Sequence, residues 1–242
     1  MAIQSPSAPK SGRRTAVIVV IVVLVLLAAA LVGGEAYSRH RIASCISTQF
    51  EQDMGSKIDV GFGAKPLLLT WLDGTVSQMT VDSEGTEFGP AVDMHVHAKF
   101  HDLEMAEGGS SGATIGSSEA QVSWSNTGIA DTLKGLVSDV QSNPDTGQLT
   151  MKVLGGIGEL QVTPTVQDGK VQLDVGQAQF LGIGVPDDLA SGVVDLMTQS
   201  LQVYPMGLQP TELQVTENGI DIALQGGRTE MPTPQGGGQT SC

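Results

Sequence analysis

The sequence predicts an α+β protein in which an N-terminal transmembrane helix precedes a curved antiparallel β-sheet wrapped around a few amphipathic helices. Three observations predict this class. Residues 15–34 form an apolar run without a single charge. Further along the chain, apolar and polar residues alternate, which is typical of strands with one dry face. Between these segments, apolar residues recur every three or four positions, which is typical of helices.

The composition favours a β-rich domain and argues against nucleic-acid binding. The 242 residues include 31 glycines and only 4% aromatic residues, as expected for many strands and turns. The net charge is −14, and no acidic residue precedes Glu35. A surface this acidic, without a cluster of lysines and arginines, repels phosphate backbones and anionic headgroups. We therefore expect no nucleic-acid partner.

The apolar run has the length of a membrane span. A helix of 20 residues is about 30 Å long, which matches the hydrocarbon core of a bilayer. Lys10, Arg13 and Arg14 precede the run and favour a cytoplasmic N-terminus. We interpret residues 1–14 as a cytoplasmic basic segment and residues 15–34 as an uncleaved, single-pass signal-anchor in the inner membrane.

Two other interpretations of this segment remain open. A cleaved signal peptide also shows a basic region, an apolar core and small residues in that order. The sequence Ile42-Ala-Ser-Cys45 loosely resembles a lipobox, although charged residues separate it from the apolar run. All three interpretations place residues 35–226 outside the cytoplasm as one domain, on the periplasmic or cell-wall side. Residues 227–242 are rich in Gly, Pro and Gln and predict a flexible tail.

The first elements after the membrane are short. The four-residue spacing of Ile42, Ile46, Phe50 and Met54 predicts an amphipathic helix that Gly55 ends. A short strand then covers 57–62. Pro66 can begin a short helix over 67–72, which Asp73-Gly74 closes.

Two long strands follow in the prediction, over 75–83 and 91–101. The second alternates without a break: Val92, Met94, Val96, Ala98 and Phe100 form the apolar face, and Asp93, His95, His97, Lys99 and His101 form the polar face.

Periodicity in the second half predicts two helices, 126–141 and 186–201, each followed by strands. The first helix would begin at an Asn126/Thr127 cap, and its apolar face would contain Ile129, Leu133, Leu136, Val137 and Val140. Predicted strands cover 148–154, 158–166, 170–175, 211–216 and 220–224. Hairpin turns are expected at Gln167-Asp-Gly169 and Glu217-Asn-Gly219.

No set of residues in the sequence predicts an enzyme or a bound cofactor. The chain lacks a nucleophile elbow, a phosphate-binding glycine loop and a zinc-type cysteine pair. The polar strand face with His95, His97 and His101 offers imidazoles at a spacing that suits a metal. Lys99 lies among them, however, and an ammonium repels a dication. We therefore interpret this face as solvated, and a metal-dependent enzyme that uses His95 and His97 is a distant alternative.

The apolar faces predict either a filled core or a lining for acyl chains. Their side chains are mostly aliphatic or thioether, and such flexible groups suit an adaptable lipid site. A filled core would instead fit a non-catalytic envelope scaffold. The predicted lining residues are Met94, Val96, Phe100, Leu133, Val137, Val193 and Met197.

The two cysteines, Cys45 and Cys242, lie near opposite ends of the extracytoplasmic part. In an oxidising compartment they can form one disulfide that ties the tail to the first helix, and two free thiols are the alternative.

The segment 60–81 resembles the LmeA-type phospholipid-binding family of the actinobacterial envelope. The resemblance depends on Pro66-Leu67-Leu68 after a glycine, a short helix, and Gly74 before an alternating strand. It implies an elongated β-barrel-like fold, similar to tubular lipid-binding proteins, with a lipid cavity. It also implies membrane phospholipid as the partner, including phosphoinositides, with possible roles in lipid transport and in the maturation of mannose-containing glycolipids. No catalytic residues come with it.

Overall fold

The computed structural model describes residues 12–54, 57–83, 87–88, 91–105, 113–180, 187–202 and 204–230. The helices are α1 (Gly12–Met54), α2 (Leu67–Asp73), α3 (Asn126–Thr132) and α4 (Asp187–Leu201). The strands are β1 (Ile58–Phe62), β2 (Thr75–Ser83), β3 (Glu87–Phe88), β4 (Ala91–Val92), β5 (Met94–Met105), β6 (Ala113–Ser125), β7 (Val137–Asn143), β8 (Gln148–Val153), β9 (Gly158–Gln167), β10 (Lys170–Phe180), β11 (Gln209–Thr216), β12 (Gly219–Gly226) and β13 (Thr229–Glu230).

The described chain after α1 forms two large antiparallel sheets and a separate two-stranded sheet of β3 and β4. The larger sheet has the order β1-β2-β5-β6-β12-β11, and β13 also pairs with β6. The smaller sheet has the order β10-β9-β8-β7. Strand β11 contacts β7, β9 and β10, so the two sheets pack on each other, and α4 covers β10. The α+β class with antiparallel sheets is therefore confirmed.

The structure corrects two details of the predicted architecture. The described strands form no closed barrel, because the larger sheet ends at β1 and β11 and the smaller one at β10 and β7. The expected wrapping of one sheet around the helices is not confirmed, since the interior is enclosed mainly by one sheet packed on another.

Helix α1 is a single helix of 43 residues, about 65 Å long at 1.5 Å per residue. The sequence predicted a membrane helix and a separate amphipathic helix, but no proline interrupts the chain between them and Gly33-Gly34 is tolerated within the helix. Among the described residues it is the one helix that is long and apolar enough to cross a membrane. Its apolar side chains, from Ile18 to Val32, are exposed and cover no other part of the protein.

The long second strand predicted over 91–101 is interrupted at Asp93, which adopts a left-handed φ of 52° and separates β4 from β5. The unbroken alternation was therefore wrong at this end, where Ala91 is buried and Val92 only half-buried, but it is confirmed from Met94 to Phe100. Met94, Ala98 and Phe100 are buried, and β5 extends beyond the predicted end to Met105. Near that end Asp102 adopts a left-handed φ of 52° opposite Gly116, where an added Cβ would lie 2.9 Å from the Asp102 side chain. Before Asp102 the buried residues of β5 have even numbers, such as Phe100. After Asp102 the alternation is offset by one residue, and Leu103 is buried.

The helix predicted over 126–141 is wrong in its second half. Helix α3 ends at Thr132, and Val137–Asn143 forms strand β7, paired with β8. Gly135, at a φ of 96°, breaks the helical path, and β-branched Val137 and Val140 suit a strand. The cap also differs from the prediction, because the Ser125 hydroxyl accepts the hydrogen bond from the Gly128 N–H at 2.9 Å.

Both predicted hairpins are confirmed. Asp168 and Gly169 adopt φ of 51° and 69° in the two-residue turn between β9 and β10, as a type I′ turn requires. The second turn joins β11 to β12, with Thr216 paired to Gly219. Strand β6 was not predicted, although it lies between β5 and β12 at the centre of the larger sheet. Part of the predicted tail, Thr229–Glu230, pairs with β6, while Gly55 and residues 231–242 lie outside the described residues.

Two glycine-to-alanine substitutions should have opposite effects on stability. A Cβ at Gly128 would lie 2.5 Å from the Val92 carbonyl oxygen, a backbone atom that cannot easily move, so Gly128→Ala should destabilise by about 1–3 kcal/mol. Gly192 lies inside α4, and a Cβ there would lie 3.8 Å from the Leu136 side chain. Gly192→Ala should therefore stabilise by up to about 1 kcal/mol through helix propensity. Thermal unfolding of the detergent-solubilised protein measures both, and an unchanged melting temperature for Gly128→Ala would contradict the packing described.

Candidate functional site

A cavity of about 530 Å³ lies between α1 and the edge strand β1. Its volume falls within the roughly 300–1,000 Å³ typical of ligand pockets. Four of the α1 residues that line this space have short side chains, namely Ala36, Ala43, Ser44 and Ser47. The lining residues are Ala36, Arg39, His40, Ala43, Ser44 and Ser47 from α1, and Ile58, Asp59, Val60, Gly61 and Phe62 from β1.

The cavity combines apolar and polar groups. Ile58, Val60 and Phe62 supply the apolar part of the lining, while His40 and Asp59 supply titratable groups. The Ser47 hydroxyl donates a hydrogen bond of 2.5 Å to the carbonyl oxygen of Ile58 and so joins α1 to β1 at one end of the cavity. Such a mixed lining suits an amphipathic ligand, with a polar head and an apolar body.

Beside the cavity, Glu35 and Arg39 join α1 to the chain that precedes and begins α2. The Arg39 guanidinium donates to the carbonyl oxygens of Phe62, Gly63 and Lys65 at 3.1, 2.9 and 2.9 Å. Its Nε also donates to Glu35 Oε1 at 2.6 Å, and the same carboxylate oxygen accepts the Leu67 N–H at 2.7 Å. We call this arrangement the Glu35–Arg39 clamp.

The clamp occupies most of the donors of Arg39, so this side chain is structural. A guanidinium has five N–H groups in a fixed fork. Arg39 donates four hydrogen bonds to acceptors within the protein. Sequence reasoning missed both the clamp and the cavity. The small residues Ala36, Ala43 and Ser47 recur at helical spacing and were the available signal, but the acceptors of Arg39 are backbone atoms that no side-chain pattern reveals.

The residues that carried the family resemblance lie directly beside the clamp. Pro66 occupies the N-cap position of α2, and Leu67 is its first, buried residue. Leu68 also belongs to α2. Gly74 ends the helix in the left-handed conformation, with φ 69°, and its N–H donates to the Thr70 carbonyl oxygen at 2.7 Å. This position favours glycine, since other residues adopt that conformation at a cost.

The seven predicted lining residues all join the interior, and five of them lie on the elements expected, a strand and helix α4. Met94 and Phe100 of β5 are buried, and Val96 packs against them half-buried. Leu133 follows the end of α3 and Val137 belongs to β7, so neither lies on the predicted long helix. Val193 and Met197 lie on the inner face of α4, as predicted.

Protein atoms surround the centre of this interior. Leu133, Val193 and Met197 have no exposed surface, and the same holds for Met151 and Leu160 of the smaller sheet. An acyl chain that reaches these side chains must therefore displace a neighbouring element. Helix α4 is the candidate for displacement, because it packs on the sheet through a single apolar stripe.

One tyrosine at the margin of the interior shows how dry this region is. Burial raises the pKa of Tyr204 to about 12, because the phenolate would be poorly solvated there. The backbone of Val171 approaches the hydroxyl and offsets a part of this effect, but the contact does not meet hydrogen-bond geometry, and the hydroxyl has no partner in the described structure.

The histidine-bearing strand face pairs with neighbouring carboxylates. His97 Nδ1 contacts Asp82 Oδ1 of β2, and His95 Nε2 lies 3.8 Å from Asp93 Oδ1. No group of three or more potential metal ligands occurs in the described part of the chain.

These features define a class of protein, with one apolar helix that could span a membrane and an α+β part made of two packed antiparallel sheets. A sequence profile described as LmeA-like phospholipid-binding matches residues 29–225. The chain therefore belongs to the LmeA-like phospholipid-binding family, as the segment 60–81 predicted.

The chain is also similar to uncharacterized proteins of Mycobacterium bovis and of two Mycobacterium tuberculosis strains. Each is 26% identical over 214 residues, and the match covers 84% of this chain and 61% of the relative. The chain thus spans less than two thirds of the length of these relatives. No solved structure matches it.

Replacement of Arg39 by lysine should loosen the chain around α2. A lysine cannot donate in a fork to three carbonyl oxygens, so Arg39→Lys should cost about 2 kcal/mol and speed amide exchange over residues 62–67. Arg41→Lys is the matched control, since Arg41 stacks over Tyr37 at 5.9 Å and does not belong to the clamp. Hydrogen–deuterium exchange with mass spectrometry measures the difference, and equal exchange of 62–67 in both variants would contradict the role of the clamp.

Proposed function

We propose that this protein binds membrane phospholipids outside the cytoplasm, anchored in the cell membrane by α1, and shelters acyl chains in its apolar interior. The observation that carries the proposal is the continuous cluster of buried aliphatic and thioether side chains in a chain of this family. Such side chains adapt to a hydrocarbon chain without a fixed geometry.

The free energy of burial favours acyl binding if α4 can move away from the interior. Burial of hydrocarbon contributes about 0.8 kcal/mol per methylene, so a chain of ~16 carbons supplies ample free energy before ordering costs are subtracted. Val193, Met197 and Leu201 hold α4 against the interior through apolar contacts. Because such contacts are non-directional, an acyl chain can replace them at little net cost.

The cavity between α1 and β1 offers a place for the polar end of the lipid. It lies at the part of α1 that follows the apolar run, and its mixed lining accommodates both a glycerol backbone and the first part of a chain. In this proposal the lipid leaves the bilayer beside α1. A role in lipid transport and in the maturation of mannose-containing envelope glycolipids would follow from such binding.

A second candidate function is a non-catalytic envelope scaffold. It is favoured by the absence of any exposed surface on Leu133, Val193 and Met197, since a scaffold needs a filled core. The two candidates differ in what happens to α4 when phospholipid is present.

A photoreactive phospholipid distinguishes the two candidates. With a diazirine on its acyl chain, the lipid should label peptides of α4 and β5 in the full-length protein. Val193→Phe, which adds bulk on the inner face, should reduce labelling about tenfold, whereas Leu196→Phe, at a position 38% exposed on the same helix, should not. Melting temperatures confirm that both variants fold, and Val193→Leu replaces the first if it does not. Labelling absent from α4 and β5 would overturn lipid binding in the interior and favour the scaffold.

We also propose that Cys45 pairs with Cys242 and that the domain lies in an oxidising compartment. Cys45 is disulfide-bonded, and Cys242, outside the described residues, is the other cysteine of the sequence. Disulfides persist outside the cytoplasm and are rare within it.

Peptide mapping without reduction should recover the peptides of Cys45 and Cys242 as one linked species from protein isolated under alkylating conditions. Reduction before mapping is the control and should separate them. Two alkylated thiols in the unreduced sample would contradict both the pairing and the proposed compartment.

A further inference from the structure

Helix α2 begins at the level where the apolar run of α1 ends. Glu35 is the first charged residue after the uncharged residues 15–34, and its Oε1 accepts the Leu67 N–H at 2.7 Å. If residues 15–34 span the hydrocarbon core of about 30 Å, Glu35 lies at its boundary with water. The start of α2 then lies at the same depth.

The second half of the clamp fixes the chain before α2 at nearly the same depth. Arg39 follows Glu35 by one helical turn, about 6 Å further from the boundary. It holds the carbonyl oxygens of Phe62, Gly63 and Lys65 within 3.1 Å. The end of β1 and all of the connection to α2 are therefore confined to the headgroup region by direct hydrogen bonds to the membrane helix.

The composition of α2 suits this location. Its sequence, Leu-Leu-Leu-Thr-Trp-Leu-Asp, is apolar except for two residues, and Leu69 is 47% exposed. Lys65 and Asp73, which flank the apolar residues, form an ion pair of 2.6 Å and so present little net charge to the bilayer. Tyr37 of α1 is exposed at the same level, as tyrosines of membrane interfaces commonly are.

We propose that α2 is a second membrane contact, which lies in the interface of the leaflet beside Glu35 and inserts Leu69 among the lipids. The surface is complementary to a bilayer because it is apolar, locally neutral and fixed by the clamp at the depth of the headgroups. The inference rests on the proposed insertion of α1 into a membrane, but it does not require that the interior binds lipid.

Docking of α2 also determines where the cavity opens. The α1 residues that line the cavity lie between Ala36 and Ser47, which is within about 18 Å of the boundary at Glu35. With α1 and α2 both in contact with the bilayer, the cavity is held beside the headgroups.

A tryptophan placed at position 69 provides the test, because Leu69 is the exposed residue proposed to insert and the two native tryptophans, Trp71 and Trp124, can be replaced by Phe. The full-length protein is reconstituted into vesicles of phosphatidylcholine and phosphatidylglycerol that contain lipids brominated near the glycerol or near the chain end. Bromine quenches only nearby tryptophans. In Leu69→Trp, with Trp71→Phe and Trp124→Phe in the same chain, we expect at least a twofold loss of fluorescence with the shallow label and less with the deep one.

Matched variants complete the experiment. Leu196→Trp in the same background, at an exposed position of α4, should be insensitive to bromine. If the background without native tryptophans does not fold, the difference between Leu69→Trp and the otherwise unsubstituted protein gives the signal of position 69.

Flotation of the same vesicles separates the two possible failures. Leu69→Trp protein that floats and resists alkaline extraction, but whose fluorescence is not quenched, would overturn the docking of α2 while leaving the membrane anchor intact. Protein that does not float would overturn the anchor and this inference together. Loss of photoreactive lipid labelling in the interior, with quenching at position 69 retained, would instead concern the proposed function alone.

Discussion

The orientation of the two large sheets relative to α1 depends on the Glu35–Arg39 clamp. Two side chains, one turn apart on α1, hold four backbone groups of the chain from Phe62 to Leu67. Because α1 continues as one helix from the apolar run to Met54, these hydrogen bonds join the sheet to a rigid rod instead of a flexible tether. The edge strand β1, the cavity and α2 all take their positions from this connection.

Local signals were sufficient to predict much of the fold. Strand β2 has the predicted bounds, and the Asp168-Gly169 turn follows from the positive φ that glycine and aspartate tolerate. The remaining elements are determined by pairing between strands that are distant in sequence. Val137 and Val140 fit either a helix or a strand by spacing, and pairing with β8 selects the strand. Strand β6 is rich in polar residues and is recognisable only between its partners, β5 and β12.

The candidate site was predictable only in part, for a related reason. The position of the seven lining residues in the interior followed from their apolar character, but the elements that carry Leu133 and Val137 were not predicted. The cavity is a space between two segments that are distant in sequence, α1 and β1, so no single residue predicts it. The acceptors of Arg39 are carbonyl oxygens, which every residue carries. Sequence patterns describe side chains, and this part of the site is made mainly by the backbone.

If α1 spans a membrane as proposed, its continuity couples the protein to the physical state of the bilayer. A helix whose apolar length exceeds the local thickness of the hydrocarbon layer accommodates the mismatch by tilting. Since α1 extends without a break into the domain and is clamped to it, the two sheets must lean by the same angle. Thin and thick membrane regions would thus present the mouth of the cavity at different heights, and the lipid composition itself would adjust access to the protein.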